Sequence, residues 1–371
     1  SYTASEAAII TINGDVSVKG ADNQTWGIEA NKENVFSRFN NAGILTSVNK
    51  SQVNVNGNVD MDVYGNGVTV NAEDSSVTIA KGGHITVPKG TNYGYYTLAA
   101  YNGTINMNMG ADGQTVGSDD VVLNGDIFAL KDGSINLALV TVDSELNGIV
   151  DNAGEANIYL QNGATWNNVQ NNERYALDYE DKGSGAFDKN GNYNGISHVT
   201  NLYGGNSYDN AGVINQSVNS NNLTIDNYSG NTIVVYNHNA NKPTEIYGGD
   251  VTIKSAETDS AITLRTDSVG IEFVNTESVE NVLDALANKL YYTGYVTGER
   301  NLDGYVEIAE GITSSSVRKA YGHIGYNEKD GQGSFAGNVE NLEPDSQTKD
   351  SFTAPIFGVE AKDTAYVEDK V

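Results

Sequence analysis

The chain has 371 residues, of which 38% are hydrophobic, and a formal net charge of −27 from 48 acidic and 21 basic residues. The hydrophobic fraction lies below the roughly 45–50% of compact globular domains. The 22 tyrosines argue against a disordered chain, so we expect a thin, elongated hydrophobic core. The negative charge disfavours nucleic acid and anionic lipid as partners. The absence of cysteine excludes disulfides and thiol chemistry.

No run of about 18 apolar residues occurs, so no transmembrane helix is predicted. The first five residues lack the charged and apolar regions of a signal peptide, and we expect any export signal to have been removed already.

Short apolar triplets separated by Asn, Gly and Asp recur along the chain. Each is predicted to be a strand, because alternate side chains of a strand face the same side. The triplets are Ile10–Ile12, Val16–Val18, Val53–Val55, Val68–Val70, Val77–Ile79, Ile85–Val87, Tyr96–Leu98, Ile105–Met107, Leu223–Ile225, Ile233–Val235, Val251–Ile253, Ile262–Leu264 and Ile271–Phe273. Further strands are predicted at Tyr305–Ile308 and His323–Tyr326.

The spacing of the apolar positions favours a parallel β-solenoid. Val77 and Ile105 are 28 residues apart, Ile105 and Ile135 are 30 apart, and Ile135 and Ile158 are 23 apart. Three short strands in roughly 20–30 residues are typical of a coil that adds one strand to each face. An antiparallel sandwich is the alternative, because turn signals every 8–12 residues also suit it.

Residues 156–169 show the repeating unit most clearly. Ile158, Leu160 and Trp166 are expected to face the core, and Asn162-Gly163 is a strong turn signal between them. Residues 171–198 break the rhythm, because they contain few β-branched residues and many turn formers. A loop of this length is usually functional or disordered.

Exposed tyrosines beside polar residues suit the binding of sugars and proteins, because the ring is apolar and the hydroxyl is polar. One group of tyrosines lies in the 171–198 excursion and another near residue 95; packing against the sheets is the alternative role for both. The predicted ligand-binding residues are Tyr175, Asp178, Tyr179, Glu180, Asp181 and Tyr193. The second group consists of Tyr93, Tyr95, Tyr96 and Tyr101.

One helix is predicted near residues 277–292, where apolar residues follow the i, i+3, i+4, i+7 pattern, with Thr276 or Ser278 as its N-cap. An amphipathic helix at this place can cover the open end of a solenoid. We therefore divide the chain into residues 1–275, a C-terminal part at 276–340 with the helix, and an acidic tail or linker at 341–371.

Motifs of serine proteases, lipases, zinc proteases and P-loop proteins are missing. The four histidines (His84, His198, His238 and His323) have no metal-ligand spacing and are predicted to be surface or turn residues. The pairs Asp119-Asp120 and Glu180-Asp181 are not predicted to be the two catalytic carboxylates of a glycoside hydrolase, because adjacent residues of a strand point to opposite faces. Both pairs are interpreted as solvated turns. Residues 190–201 have the spacing of an EF-hand calcium-binding loop, but they have amides at the positions where that loop needs carboxylates. They are interpreted as a loop rich in turn-forming residues. No catalytic residue, metal site or cofactor is predicted.

Several segments resemble passenger domains of monomeric (type Va) autotransporters. The segment 155–167, E-A-N-I-Y-L-Q-N-G-A-T-W-N, is similar to a coil of that family, as are 221–231, 247–256 and 261–267. Residues 283–295 and 306–316 resemble the C-terminal passenger region of autotransporters from Veillonella-like anaerobes.

The resemblance implies an all-β fold, a right-handed parallel β-helix, displayed at the bacterial cell surface or secreted. In that family a C-terminal outer-membrane β-barrel, which this sequence does not include, anchors the passenger. The implied function is adhesion to host cells, to a matrix protein or glycan, or to other bacteria in a biofilm, without catalysis. Self-association that aggregates cells is the alternative. A β-helix enzyme that degrades polysaccharides is a third hypothesis.

Overall fold

The structure is a computed structural model that describes residues 7–20, 28–30, 42–89, 95–173, 187–239, 241–267, 276–309 and 320–341. The chain divides into two compact units. The first comprises Ser1–Val213 and Asn221–Asp226, and the second comprises Ile214–Ser220 and Asn227–Val371.

Strands are the main element of the first unit. They are β1 (Ile9–Ile12), β2 (Val16–Lys19), β3 (Ile28–Ala30), β4 (Ala42–Thr46), β5 (Gln52–Val55), β6 (Val59–Asp62), β7 (Asn66–Ile79), β8 (Gly83–Thr86), β9 (Leu98–Met107), β10 (Val121–Asn124), β11 (Ile127–Leu139), β12 (Glu145–Asn147), β13 (Val150–Asn152), β14 (Glu155–Leu160), β15 (Thr165–Asn167) and β16 (Ser197–Tyr203). Two further strands, β17 (Gly212–Gln216) and β18 (Leu223–Ser229), include the residues at which the units divide.

Two parallel sheets build the first unit. The order of the first sheet is β1-β5-β7-β9-β11-β14-β16, with β3, β4 and β13 beside this path, and the order of the second is β2-β6-β8-β10-β12-β15. The chain passes repeatedly from one sheet to the other, which is compatible with a parallel solenoid. The pairings between these strands are parallel, so the antiparallel sandwich is wrong for this unit.

Apolar residues form rows across the first sheet. Val77 lies opposite Ile105, which lies opposite Ile135, and all three are fully buried. The spacings of 28 and 30 residues are thereby confirmed. The spacing of 23 is wrong by two residues, because Ile158 lies opposite Leu137 and Ala156 lies opposite Ile135. Each buried aliphatic side chain stabilises the fold by about 1.5–3 kcal/mol relative to an exposed one.

Several strands are longer than the predicted triplets. The triplets Val68–Val70 and Val77–Ile79 belong to the single strand β7. Its register against β9 shifts twice between Val70 and Ser76, where Asp74 has a φ of 56°. Such an irregularity bends a strand without ending it, so turn-forming residues here mark a corner and not a strand end.

The segment of residues 156–169, which contains Trp166, follows the prediction. Ile158, Leu160 and Trp166 are at most 1% exposed, and the Trp166 indole donates a hydrogen bond to the Gly148 carbonyl at 2.8 Å. Asn162 and Gly163 have φ angles of 54° and 80°, which confirms the turn.

The start of the 171–198 excursion is attached to the first unit. The buried Asp126 carboxylate accepts hydrogen bonds from the backbone N–H groups of Ile149 (2.9 Å), Asn171 (2.8 Å) and Asn172 (3.1 Å). Burial raises the pKa of Asp126 to about 6. The Asn172 amide also donates to the Pro88 carbonyl at 3.1 Å, so the point where the excursion leaves the sheets is fixed.

Besides a 3-10 helix at Thr293–Thr297, the second unit contains strands and one α-helix among its described residues. These are β19 (Asn231–Tyr236), β20 (His238–Asn239), β21 (Lys242–Ile246), β22 (Val251–Ala256), β23 (Ser260–Asp267), α1 (Thr276–Ala287), β24 (Leu290–Tyr292), β25 (Leu302–Ala309), β26 (Ala320–Tyr326) and β27 (Gly333–Asn341). Strands β19, β23 and β25 are parallel, and β26 and β27 continue that sheet antiparallel. Strand β22 pairs with β24 in parallel, and β20 with β21 in an antiparallel pair.

The predicted helix is confirmed but is shorter than expected. Helix α1 ends at Ala287, and residues 290–292 form β24, in which Leu290 and Tyr292 are fully buried. The apolar residues at the end of the pattern therefore alternate as in a strand. The helix buries Leu283 and Leu286, and Asp284 accepts a hydrogen bond from the Phe335 N–H at 2.9 Å.

Within the described ranges, no helix combines the length and apolar character needed to cross a membrane. The triplet Ile271–Phe273 and residues 342–371 of the predicted tail lie outside the described residues. The division of the chain at residues 275 and 340 stays a prediction.

Candidate functional site

Most of the predicted ligand-binding residues lie outside the described residues. These are Tyr175, Asp178, Tyr179, Glu180 and Asp181. The sixth, Tyr193, is half-buried; its ring packs on Phe187 with centroids 5.7 Å apart, and its hydroxyl donates a hydrogen bond to the Ile196 carbonyl. Tyr193 therefore stabilises the end of the excursion, and its contact with a ligand stays a prediction.

The described tyrosines near residue 95 are buried or half-buried; Tyr95 is half-buried, and its ring centroid lies 5.8 Å from that of Tyr64. Tyr96 and Tyr101 are 5% and 8% exposed, and their ring centroids lie 4.9 Å and 5.0 Å from that of Phe128. The packing interpretation is correct for these two residues, and the binding interpretation is wrong. Tyr93 lies outside the described residues.

An open cleft of about 720 Å³ lies on the outer face of the first sheet, over strands β7, β9, β11, β14 and β16. We call it the polar cleft. Its floor consists of three rows of outward-facing side chains that run across the strands, and the loop of residues 110–115 forms one wall. The rows are formed because parallel strands in register place equivalent positions side by side.

The middle row is a ladder of asparagines. Asn136 donates to Asn106 at 2.7 Å, Asn157 donates to Asn136 at 2.8 Å, and Asn201 donates to Asn157 at 2.6 Å. The amide of Asn106 donates in turn to the Thr78 hydroxyl at 3.2 Å. Each ladder position lies opposite the next in the sheet register, so the ladder holds the floor of the cleft in one arrangement.

Tyrosines and small polar residues form the two outer rows. Tyr159 and Tyr203 are opposite each other and half-buried, and their rings stack with centroids 4.4 Å apart at an angle of 21°. On the other side of the ladder lies a row of hydroxyl and carboxyl groups. Its members are Ser76, Thr104, Ser134 and Glu155.

The wall loop is held by Asp112. Its carboxylate accepts hydrogen bonds from the backbone N–H groups of Gln114 (3.0 Å) and Thr115 (2.8 Å) and from the Thr115 hydroxyl (2.7 Å). The backbone and side-chain hydrogen bonds from Thr115 are the main reason why the pKa of Asp112 is lowered to about 2. Asp112 is therefore ionised at any physiological pH.

Gly113 brings the wall onto the ladder. It has a φ of 64°, and a Cβ at this position would lie 2.7 Å from the Asn136 side-chain nitrogen. Only glycine combines this backbone conformation with so close an approach. The base of the loop is fixed by the Asn108 amide, which donates to the Asp119 carbonyl at 2.8 Å and to the Ala138 carbonyl at 3.1 Å.

The polar cleft carries negative charge. Its lining includes the carboxylates of Asp74, Asp112 and Glu155, and no Lys, Arg or His is among the described residues that line it. Burial and the nearby Asp112 carboxylate together raise the pKa of Tyr159, so this phenol stays protonated and can donate a hydrogen bond.

The described residues contain no group of three or more His, Asp or Glu side chains placed to hold a metal ion. Asp188 accepts backbone hydrogen bonds from Asn190 (2.7 Å) and Asn192 (2.9 Å), which confirms that the amide-rich loop is a turn. The Asp120 carboxylate accepts a hydrogen bond from the Thr141 hydroxyl at 2.6 Å. Glu180-Asp181 lies outside the described residues.

All four histidines lie on strands, so the surface alternative is correct for the two exposed ones and the turn alternative is wrong. His84 and His323 are exposed on β8 and β26, and His238 is half-buried on β20. His198 on β16 is half-buried, with Nε2 2.8 Å from Asp226 Oδ2 and Nδ1 3.0 Å from the Asn152 carbonyl oxygen.

No family model matches the chain, and comparison with curated proteins and with solved structures finds no significant match.

The polar cleft was not predicted from the sequence. The signal that could have found it is an asparagine directly after a core position in successive strands of the first sheet, as in Ile105-Asn106, Ile135-Asn136 and Ala156-Asn157.

Proposed function

We propose that this chain is the right-handed parallel β-helix passenger domain of a monomeric autotransporter and acts as a non-catalytic adhesin at the bacterial cell surface. The polar cleft carries the proposal, because it is an open, pre-organised surface of polar and aromatic side chains. The parallel sheets of the first unit and the segments at 155–167 and 221–231 support it further.

Binding without catalysis fits the carboxylates of the polar cleft better than glycoside hydrolysis does. A hydrolase needs a carboxyl group that stays protonated to act as general acid, so its pKa must be raised. Asp112 has the opposite property, since hydrogen bonds lower its pKa to about 2. Both of its oxygens are also engaged by the wall loop.

The partner is a host cell surface, a matrix protein or glycan, or another bacterium. The net charge of −27 favours neutral or basic partner surfaces over acidic ones. The predicted residues of the excursion, Tyr175, Asp178, Tyr179, Glu180, Asp181 and Tyr193, remain a second proposed contact region.

The test compares the labelled chain with an excursion variant for binding to host cells, immobilised matrix proteins and partner bacteria. The variant replaces residues 174–186 by a Gly/Ser segment of equal length and keeps Asn172 and Phe187, which are packed. Asn206→Ala, a substitution at an exposed position outside the excursion, is the control. All three must show the same circular dichroism spectrum.

We expect the chain to bind at least one of these surfaces. Binding that is lost only in the excursion variant would assign the contact to the excursion, and equal binding would assign it to the sheets. If nothing binds while sedimentation shows dimers that strengthen as salt screens the charge, self-association replaces heterophilic adhesion. Absence of both results would refute the proposal.

A further inference from the structure

We propose that the polar cleft is a binding site for an uncharged oligosaccharide. This inference rests on the proposed adhesin function and names the ligand class of its site. The floor of the cleft has the alternation that a sugar presents, with hydrogen-bonding groups beside an apolar aromatic surface.

The hydrogen-bonding capacity of the floor matches hydroxyl groups. A side-chain amide has two N–H donors and two acceptor lone pairs, and within the ladder Asn136 uses one of each. Asn157 uses both N–H groups, because it also donates to the Glu155 carboxylate at 3.0 Å. It is half-buried, whereas Asn106 and Asn136 are 2% and 7% exposed. Half-buried Thr104 and Ser134 flank the ladder with hydroxyls that both donate and accept. Sugar hydroxyls also donate and accept, so they can bond to this floor at several points.

The tyrosine pair offers the apolar part of the site. Tyr159 and Tyr203 fix each other by stacking, so little rotational freedom is lost when a ligand binds. A tyrosine ring covers an apolar C–H face of a sugar while its hydroxyl hydrogen-bonds at the rim.

Charge selects among sugars. Asp74 and Glu155 can accept hydrogen bonds from sugar hydroxyls, and hydrogen bonds to charged acceptors are stronger than those to neutral ones. The same carboxylates repel uronic acids, sulfates and phosphates, and no cation among the described lining residues offsets this. The site therefore favours neutral chains over acidic ones.

A peptide fits the cleft less well. Extended peptides bind by adding a strand to an open sheet edge, and helical peptides need an apolar groove. The floor strands β9, β11 and β14 are paired on both sides, and the lining is dominated by polar residues.

The test is calorimetric titration of the full chain, at 150 mM salt, with neutral tetrasaccharides of glucose, galactose, mannose and N-acetylglucosamine, and with tetragalacturonate as the acidic counterpart. Ala111→Trp blocks the cleft from the exposed wall loop. Val142→Trp adds the same ring at a position that is 72% exposed and outside the cleft, and is the matched control. A third variant, Asp74→Asn with Glu155→Gln, removes two carboxylates but no volume.

We expect at least one neutral tetrasaccharide to bind, tetragalacturonate to bind at least tenfold more weakly, and Ala111→Trp to weaken binding at least tenfold while Val142→Trp does not. In the variant without the two carboxylates, the affinities for neutral and acidic sugars should differ less than in the original chain.

The proposal is overturned if no neutral sugar binds, if the acidic sugar binds best, or if both tryptophan variants bind like the original chain. Cell binding that persists without sugar binding would overturn this inference alone, whereas sugar binding without cell binding would overturn only the adhesin.

Discussion

Tyr159 on β14 and Tyr203 on β16 lie opposite each other and stack with ring centroids 4.4 Å apart, although 44 residues separate them in sequence. The 171–198 excursion lies between these two strands in the sequence. The polar cleft is therefore complete only when β16, which follows the excursion, pairs with β14 in the correct register. This relationship couples the candidate site to the folding of the two strands on either side of the long loop.

The tyrosine pair is expected to show a measurable coupling. In a double-mutant cycle with Tyr159→Ala and Tyr203→Ala, we predict an interaction energy of about 0.5–1.5 kcal/mol, because the stacked rings contribute beyond the area that they bury. Urea denaturation monitored by circular dichroism measures each free energy of unfolding. Tyr64→Ala and Tyr203→Ala form the control cycle, since Tyr64 packs on Tyr95 at 5.8 Å; these two changes should be additive. A Tyr159–Tyr203 cycle that is equally additive would contradict the prediction.

Breaking the asparagine ladder is expected to destabilise the first unit. Asn157→Ala removes the donor to Asn136 and the acceptor for Asn201, and leaves polar groups without these partners. The expected loss is about 1–3 kcal/mol in the free energy of unfolding. Asn206→Ala, at an exposed position, should change it by less than about 0.5 kcal/mol. Equal effects of the two changes would show that the ladder does not stabilise the fold.

The sequence predicts the strands and their inward faces better than it predicts the cleft. Val77, Ile105 and Ile135 are visible as a repeat because core positions accept few residue types. The register of β14 is not visible, since Ala156 and Ile158 both fit the inward face and the two-residue difference preserves it. Outward-facing positions accept many residue types and show no comparable repeat. Which of these side chains lie next to one another in the cleft therefore depends on a register that the sequence does not reveal.

The free energy of unfolding is expected to fall as the pH rises from about 4 to about 6, because the buried Asp126 loses its proton over this range. Burial raises its folded pKa to about 6, above the usual value of 3.8, so the folded chain holds the proton more tightly than the unfolded chain. The stabilisation is present below pH 4 and is lost as the pH rises through 6, with a maximum change of about 3 kcal/mol.

Asp126→Asn provides the comparison. It cannot titrate, so the difference in unfolding free energy between the original chain and the variant should change across this pH window and be constant above about pH 7. Denaturation at intervals of half a pH unit measures it. A constant difference from pH 4 to pH 7 would show that the buried carboxyl has an ordinary pKa.

The wall of the polar cleft is expected to depend on Asp112. Asp112→Ala removes the acceptor for the backbone N–H groups of Gln114 and Thr115, which should then exchange with deuterium at least several-fold faster. Because the folded pKa is lowered to about 2, hydrogen bonds to the ionised Asp112 should persist at pH 3.5 and weaken as the pH falls through 2. Amide exchange measured by mass spectrometry reports both effects. Asp74→Ala, in the same cleft but outside the loop, should leave these two amides protected.

In the second unit, Glu299 is expected to stabilise the strand that follows the helix. Its carboxylate accepts hydrogen bonds from the Tyr292 hydroxyl and the Ala256 N–H, both at 2.6 Å, and from the Ser255 hydroxyl. Burial acts to raise the pKa of Glu299, but these hydrogen bonds outweigh it and the net pKa is lowered.

Glu299→Ala leaves the fully buried Tyr292 without this acceptor and should lower the free energy of unfolding by about 1–3 kcal/mol. Glu299→Gln keeps an oxygen acceptor and the shape of the side chain, so its loss should be smaller. Tyr292→Phe tests the same bond from the other side, and its effect should not add to that of Glu299→Ala, because either change removes the bond. Full additivity of these two changes in denaturation experiments would show that the hydrogen bond contributes nothing.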